Sequence, residues 1–116
     1  MEDKIRQFLP LSPAALHILL SLAAEDRHGY GIMQEVATQS DGQYVLGPGT
    51  LYDNLQKLLD SKLVEEAATR AGVDSRRRYY RLTNLGRQVV TAEIARLEDV
   101  IRVAKPHLRS PKPRRA

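Results

Sequence analysis

Apolar residues in the first third of the chain recur at helical spacing and predict two short helices. Ser12 and Pro13 provide an N-cap and a first helical residue, and the charged run 25–27 followed by Gly29 marks the end of the first helix. The apolar stripe of this helix has the spacing i, i+3, i+4, i+7 and consists of Leu16, Leu19, Leu20 and Ala23. The second helix is predicted over residues 30–41. Its inward face consists of Ile32, Met33, Val36 and Ala37.

A third helix, predicted over residues 50–61, is divided into an apolar and a polar face. A brief strand at 44–46 and a Gly-Pro-Gly turn at 47–49 are expected to precede it. The core stripe has the spacing i, i+4, i+7, i+8 and consists of Leu51, Leu55, Leu58 and Leu59. At about 100° per residue, the opposite side holds Thr50, Asp53, Lys57 and Asp60. Three short helices, the last with a polar outer face, favour a helix-turn-helix.

The pattern after the third helix predicts a β-hairpin. Residues 63–69 and 76–82 have strand character, and residues 71–75 between them are typical of a turn. On the second strand one face holds Arg77, Tyr79 and Arg81, and the other holds Tyr80 and Leu82. We call this hairpin the wing, because a helix-turn-helix followed by a hairpin is a winged helix. Its loop is flanked by Arg70, Arg76, Arg77 and Arg78.

Thr83 can cap a last helix, which is predicted over residues 84–105 and to end at Pro106. Its longest apolar stripe has spacings of 4, 3, 4, 3 and 4, as in a coiled-coil seam, and consists of Val90, Ile94, Leu97, Ile101, Ala104 and Leu108. This helix either folds back on its own domain or pairs with a second copy. We expect a homodimer, because the winged-helix core is too small to cover so long a stripe. The expected interface residues are Val90, Ile94, Leu97, Ile101 and Ala104.

Length and composition agree with a single small domain of the α+β class, mostly α: a winged helix-turn-helix with a long C-terminal dimerisation helix. The 116 residues divide into an N-terminal segment (1–11), the DNA-binding domain (12–83), the dimerisation helix (84–105) and a disordered basic tail (106–116). With no cysteine and three scattered histidines, we expect no metal site and no cofactor. The longest apolar stretch is too short for a membrane span and no signal-peptide pattern begins the chain, so we expect a cytoplasmic protein.

Charge is distributed unevenly along the chain, although the net value is only +4. Residues 29–69 carry two basic and six acidic groups, a net of −4, whereas residues 70–87 carry six arginines and one aspartate, a net of +5. The last fifteen residues hold six basic groups and no acidic one. A single basic cluster is often only a solvated face, but two separate clusters favour a polyanionic partner such as nucleic acid.

Three motifs occur in an order that resembles a known family. Residues 49–58 read GTLYDNLQKL, residues 79–86 read YYRLTNLG, and residues 29–32 read GYGI behind the first helix. Together they make residues 12–104 similar to the PadR-type transcriptional regulators, in the short form that ends in a single C-terminal helix. Two positions depart from the family pattern: Lys62 replaces a usual glycine, and Asn54 replaces a residue that is often small. With no tryptophan, the chain cannot carry a drug site built on stacked indoles, which some relatives have.

A winged helix places one helix in the major groove of DNA and its wing at the adjacent minor groove or the phosphates. The start of the third helix can present N–H groups and a hydroxyl to a phosphate, and side chains further along face the groove. Tyr52, at the edge of the core stripe, either packs or contacts DNA. Tyr30 is included because the resemblance implies a backbone contact. The expected DNA-binding residues are Tyr30, Pro48, Gly49, Thr50, Tyr52, Asp53, Gln56, Lys57, Arg76, Arg77 and Arg78.

The resemblance implies a sequence-specific, homodimeric repressor that binds double-stranded DNA at a pseudo-palindromic operator. It also implies release by a small aromatic or amphipathic effector bound near the dimer interface. The expected lining of that site is Phe8, Leu97, Val100 and Ile101, although the same residues equally suit a dimer core alone.

A protein–protein adaptor and an enzyme are the alternatives to a DNA-binding regulator. A winged helix can serve as a protein–protein adaptor, which would show no salt-dependent binding to duplex DNA. An enzyme is not expected, because the chain has no carboxylate pair, serine–histidine arrangement or phosphate-binding glycine loop. The glycines at 29–31 and 47–49 are turn glycines.

Overall fold

A computed structural model describes residues 2–68 and 77–109 of the chain. The elements in order are α1 (Glu2–Arg6), α2 (Pro13–Ser21), β1 (Arg27–His28), α3 (Gly29–Gln39), α4 (Pro48–Asp60), β2 (Val64–Ala67), β3 (Tyr79–Leu82) and α5 (Asn84–Arg109). This is the expected winged helix with a long C-terminal helix, so the predicted fold class is confirmed. The helices in the described part of the chain are each too short or too polar to cross a membrane.

Helix α2 begins where the sequence predicts, but its buried side is wider than the predicted stripe. The hydroxyl of Ser12 accepts a hydrogen bond from the N–H of Ala15 at 3.1 Å, as an N-cap should. The helix ends at Ser21, before the charged run that was expected to end it. Ile18, which lies outside the predicted stripe, is fully buried, because α3, α4 and α5 all pack against α2. A one-sided stripe is therefore the wrong description of a central helix.

The sheet has three antiparallel strands in the order β1-β3-β2. Strand β1 pairs His28 with Tyr79, and β2 pairs Val64 with Leu82. The alternation predicted for β3 is confirmed, since Tyr80 and Leu82 are buried and Arg81 is exposed. Strand β1 has only two residues and is not predicted by the sequence pattern, and Gly29 begins α3 instead of marking the end of the preceding helix. The predicted turn, with Arg70 and Arg76, lies outside the described residues.

The segment before α4 is not a strand, contrary to the prediction for residues 44–46. The N–H of Tyr44 donates to the hydroxyl of Ser40 at 3.0 Å, so a helix-end side chain rather than a neighbouring strand holds this backbone. The ring of Tyr44 stacks on His17 with centroids 4.4 Å apart, and Leu46 is buried in the core. Val45 between them is 79% exposed.

Helix α4 ends in a Schellman turn at a residue with left-handed backbone. Lys62 has φ +65°, its N–H donates to the carbonyl of Leu59 at 3.1 Å, and the N–H of Leu63 donates to the carbonyl of Leu58 at 3.0 Å. This left-handed backbone conformation favours glycine. A lysine can adopt it at a cost in stability, so Lys62 can stand where the family usually has glycine. Helix α5 passes so close to this turn that a Cβ at Gly86 would collide with the carbonyl oxygen of Leu63.

Helix α5 runs through Pro106 to Arg109, so the predicted end at Pro106 is wrong. A proline removes one backbone hydrogen bond, which is a small loss in the exposed last turns of a long helix. In the same turn, the imidazole Nδ1 of His107 donates to the carbonyl of Val103 at 2.8 Å. At 1.5 Å per residue the 26 residues of α5 span about 39 Å, and only the first part packs on the domain.

Candidate nucleic-acid interface

Helix α4 separates its two faces as the leucine spacing predicts. Leu51, Leu55 and Leu58 are buried, and Leu59 is half-buried. The exposed side of the helix consists of Pro48, Gly49, Thr50, Tyr52, Asp53, Gln56, Lys57 and Asp60. The N-cap residue, Gly47, has no side chain that could accept hydrogen bonds from the N–H groups of the first turn. The start of α4 therefore presents backbone amides and polar side chains outward, which suits an anionic partner.

Tyr52 packs against the protein and is also partly exposed, so the structure is compatible with both alternatives, packing and DNA contact. Its hydroxyl lies against Gly29 at the start of α3, where an added Cβ would collide with it. The side chain is nevertheless 50% exposed. Tyr52 thus fixes the first half of α4 against the first turn of α3 and still keeps part of its ring accessible.

Hydrogen bonds along α4 orient two of its polar side chains. The Nδ2 of Asn54 donates to the carbonyl of Thr50 at 2.8 Å. The asparagine that departs from the family pattern is therefore hydrogen-bonded within its own helix. The Nε2 of Gln56 donates to the Oδ1 of Asp60 at 3.0 Å. Both bonds link residues four apart, which is the reach of neighbouring side chains on one helix face.

Four residues meet at the base of the wing: His28, Tyr30, Arg77 and Tyr79. The Nη1 of Arg77 donates to the Nε2 of His28 at 3.3 Å, and the imidazole lies 5.4 Å from the ring of Tyr79 and 6.5 Å from that of Tyr30. Burial, and then the guanidinium of Arg77, lower the pKa of the His28 imidazole. A neutral His28 can accept the hydrogen bond that holds Arg77 in place.

These contacts join three predicted parts of the site into one surface. Tyr52 touches Gly29, the neighbouring His28 reaches both Tyr30 and Arg77, and Arg78 is exposed beside them. Arg81 is instead paired with Glu65 across the wing at 3.2 Å. Sequence reasoning missed His28 and Gly29, because the role of His28 arises from the pairing of β1 with β3 and that of Gly29 from its contact with Tyr52. Arg76 lies outside the described residues.

Comparison with known proteins bears on this surface. The family model described as "Transcriptional regulator PadR-like family" matches residues 18–92, which include α3, α4 and both wing strands. The chain belongs to this family. The family is described as one of transcriptional regulators.

Individual PadR relatives agree with the assignment. The transcriptional regulator Rv3488 of Mycobacterium tuberculosis is 39% identical over 89 residues, which are 75% of this chain and 78% of that protein. A PadR family regulator from Clostridium difficile is 22% identical with a TM-score of 0.70, over 84% of this chain and 99% of the other. Bacillus subtilis PadR, solved in complex with operator DNA, is 22% identical with a TM-score of 0.63, over 73% of this chain and 48% of the other. At these identities the two structures establish the fold alone.

The residues expected at a PadR dimer interface differ in their surroundings. Val90 is only 8% exposed and belongs to the core of its own domain. Ile94 and Ile101 are exposed on α5, and Leu97 and Ala104 are partly buried. The accessible part of the seam therefore begins at Ile94.

The residues expected around an effector do not line the groove beside α5 of this PadR chain. That groove, of about 1220 Å³, lies between the N-terminal segment and α5, with Ile5, Leu9, Pro10, Ala92 and Ala95 among its lining residues. Phe8 packs partly buried on the core, and Val100 and Ile101 are half-exposed further along α5. In the described part of the chain, no three metal-ligating side chains come together.

Proposed function

We propose that this PadR protein is a homodimeric repressor that binds a pseudo-palindromic operator. Helix α4 occupies the major groove, and the wing reaches the adjacent backbone or minor groove. The observation that carries the proposal is the single surface formed by the exposed side of α4, Tyr30, His28 and Arg77. Its shape suits duplex DNA, because an exposed helix of 13 residues stands beside a basic hairpin. Bacillus subtilis PadR, which has the same fold, was solved in complex with operator DNA, and this supports DNA as the partner.

Helix α5 supports the homodimer. Glu93 is the last fully buried residue of α5, and the sixteen residues beyond it extend about 24 Å further. Their apolar positions Ile94, Leu97, Ile101 and Leu108 continue one face of the helix. An exposed apolar face of this length is normally covered in solution, and a second copy of α5 supplies a matching one.

A small aromatic or amphipathic effector acts where the N-terminal segment meets α5. Movement of α5 changes the separation of the two α4 helices in a dimer, and therefore the fit to two half-sites. A ligand that binds one separation better shifts the population by its differential affinity. Phe8, Leu97, Val100 and Ile101 remain the proposed lining, although the groove between the N-terminal segment and α5 is lined by other residues of the same two parts of the chain.

Salt-dependent binding tests the proposal. Fluorescence anisotropy with a random-sequence duplex should give a Kd that weakens steeply as salt rises, since each phosphate contact contributes about 0.9 to the slope of log K against log salt. Selection from a random duplex pool should then enrich sites with two-fold symmetry. If no duplex binds in a salt-dependent manner, the protein is an adaptor and not a DNA-binding repressor.

A further inference from the structure

The first half of α4 places Asp53 and Gln56 where a helix in the major groove meets base edges. Asp53 lies two residues from the buried Leu55, about 160° around the helix, and both polar side chains are exposed. Residues in the N-terminal part of such a helix are the ones that reach bases. Asp53 and Gln56 are separated by three residues and share one face.

Both side chains present hydrogen-bond acceptors. The ionised carboxylate of Asp53 has no donor at all. The Nε2 of Gln56 donates one of its two hydrogens to Asp60 at 3.0 Å, so Gln56 keeps its Oε1 as an acceptor and a second N–H as a donor. Neither residue resembles the arginine or lysine that most often reads guanine.

Bases differ in what they offer an acceptor in the major groove. Guanine and thymine present only acceptors there, which repel a carboxylate. Adenine presents its N6 amino group beside the acceptor N7, so a carboxylate meets attraction and repulsion together. Cytosine presents its N4 amino group without a neighbouring acceptor, and it is the base that suits Asp53 best.

We propose that Asp53 reads the N4 amino group of a cytosine in each operator half-site and rejects guanine and thymine there. The inference rests on the proposed function, because it needs α4 in the major groove. It makes Asp53 a specificity-determining residue whose negative charge lowers affinity for other sequences. Gln56, oriented by Asp60, supplies a further acceptor for the neighbouring step.

Selection from a random duplex pool, with the full chain and with variants, tests the assignment. Wild type should enrich one cytosine per half-site that Asp53→Ala no longer requires, while the other positions stay unchanged. Asp53→Asn should shift the preference at that position towards adenine, because asparagine can pair with both N6 and N7. Asp99→Ala is the matched control, since it removes an exposed carboxylate on α5 and should leave every preference unchanged.

A modified base gives the atom-level test. Replacing the selected cytosine by 2-pyrimidinone removes only the amino group, and it should weaken wild-type binding about 5- to 100-fold per half-site. Asp53→Ala should bind the modified and unmodified duplexes equally. If Asp53→Ala binds DNA but keeps the wild-type preference at every position, the inference is wrong while the proposed function stands. If no duplex binds at all, the proposed function itself fails.

Discussion

The hydroxyl of Tyr52 on α4 lies against the α-carbon of Gly29, the first residue of α3. A side chain at position 29 has no room, because its Cβ would collide with this hydroxyl. The contact fixes the position of the first half of α4 relative to the base of the wing, because Gly29 directly follows His28, which pairs with Tyr79 of β3. Stability and DNA binding should therefore depend on the same pair of residues.

Gly29→Ala should destabilise the protein by about 1–3 kcal/mol, as small-to-large changes in packed sites do, and should weaken DNA binding by displacing α4. Urea denaturation and anisotropy measure the two effects. Tyr52→Phe should restore part of the stability lost in Gly29→Ala, because it removes the oxygen that the new methyl group meets. Unchanged stability in Gly29→Ala would mean that the contact is not tight in solution.

Lys62→Gly should raise the free energy of unfolding by about 1 kcal/mol. The residue at the end of α4 has φ +65°, a conformation that costs a side-chain-bearing residue energy and glycine almost none. Lys62→Ala is the control, because it removes the charge but keeps the strained backbone, and it should give no such gain. Equal stabilisation by both changes would attribute the effect to charge instead.

Acid should weaken the fold through Glu93, which is only 1% exposed. Two hydrogen bonds from Arg96 at 2.6 and 3.0 Å, with a third from the N–H of Leu11 at 3.1 Å, hold the pKa of this carboxyl below its usual 4.5 against the opposing effect of burial. As pH falls, the Glu93 carboxyl takes up a proton in the unfolded chain before it does so in the folded chain. The contribution of Glu93 to stability is therefore complete above about pH 5 and is lost as pH drops through the folded pKa.

Glu93→Gln tests that assignment, because glutamine still accepts from Leu11 but cannot ionise. The free energy of unfolding, measured from pH 7 to pH 3, should fall less steeply in Glu93→Gln than in wild type. The gap between the two proteins should close at the acid end. Parallel curves would show that the carboxylate contributes nothing through its charge.

Leu97→Glu with Ile101→Glu should dissociate the proposed dimer. Uncompensated burial of charge costs several kcal/mol, and these residues lie beyond the part of α5 that the domain core uses. Val103→Glu is the control, since Val103 is exposed on α5 to one side of the seam. Sedimentation should give monomers for the double variant and dimers for the control. A monomeric wild type at tens of micromolar would contradict the proposed homodimer.

Changing Arg76, Arg77 and Arg78 together to alanine should weaken binding to all duplexes alike. The slope of log K against log salt should flatten by up to ~3 × 0.9. Lys105→Ala and Arg109→Ala on the far end of α5 serve as charge-removing controls and should leave the slope nearly unchanged. An unchanged slope in the wing variant would remove the wing from the DNA interface.

Local signals were enough to predict most elements and the exposed side of α4. The Ser12-Pro13 start of α2, the leucine spacing of α4 and the alternation of β3 each depend on neighbours within a few residues. For the same reason the family motifs, which lie on these elements, could be recognised in the chain. The exposed residues of α4 that are proposed to contact DNA could be named from the sequence, because helical periodicity alone separates the two faces of the helix.

Tertiary contacts decided what lies between those elements. Strand β1 exists only because His28 pairs with Tyr79, and the wing base follows from that pairing. Glu93 is buried and accepts a hydrogen bond from the N–H of Leu11, which is 82 positions away in the sequence. Residues 44–46 pair with no strand in the described part of the chain, so their strand-like composition was not enough to form one. Local periodicity reports which residues prefer to be buried, whereas the partner that buries each one is chosen by contacts distant in sequence.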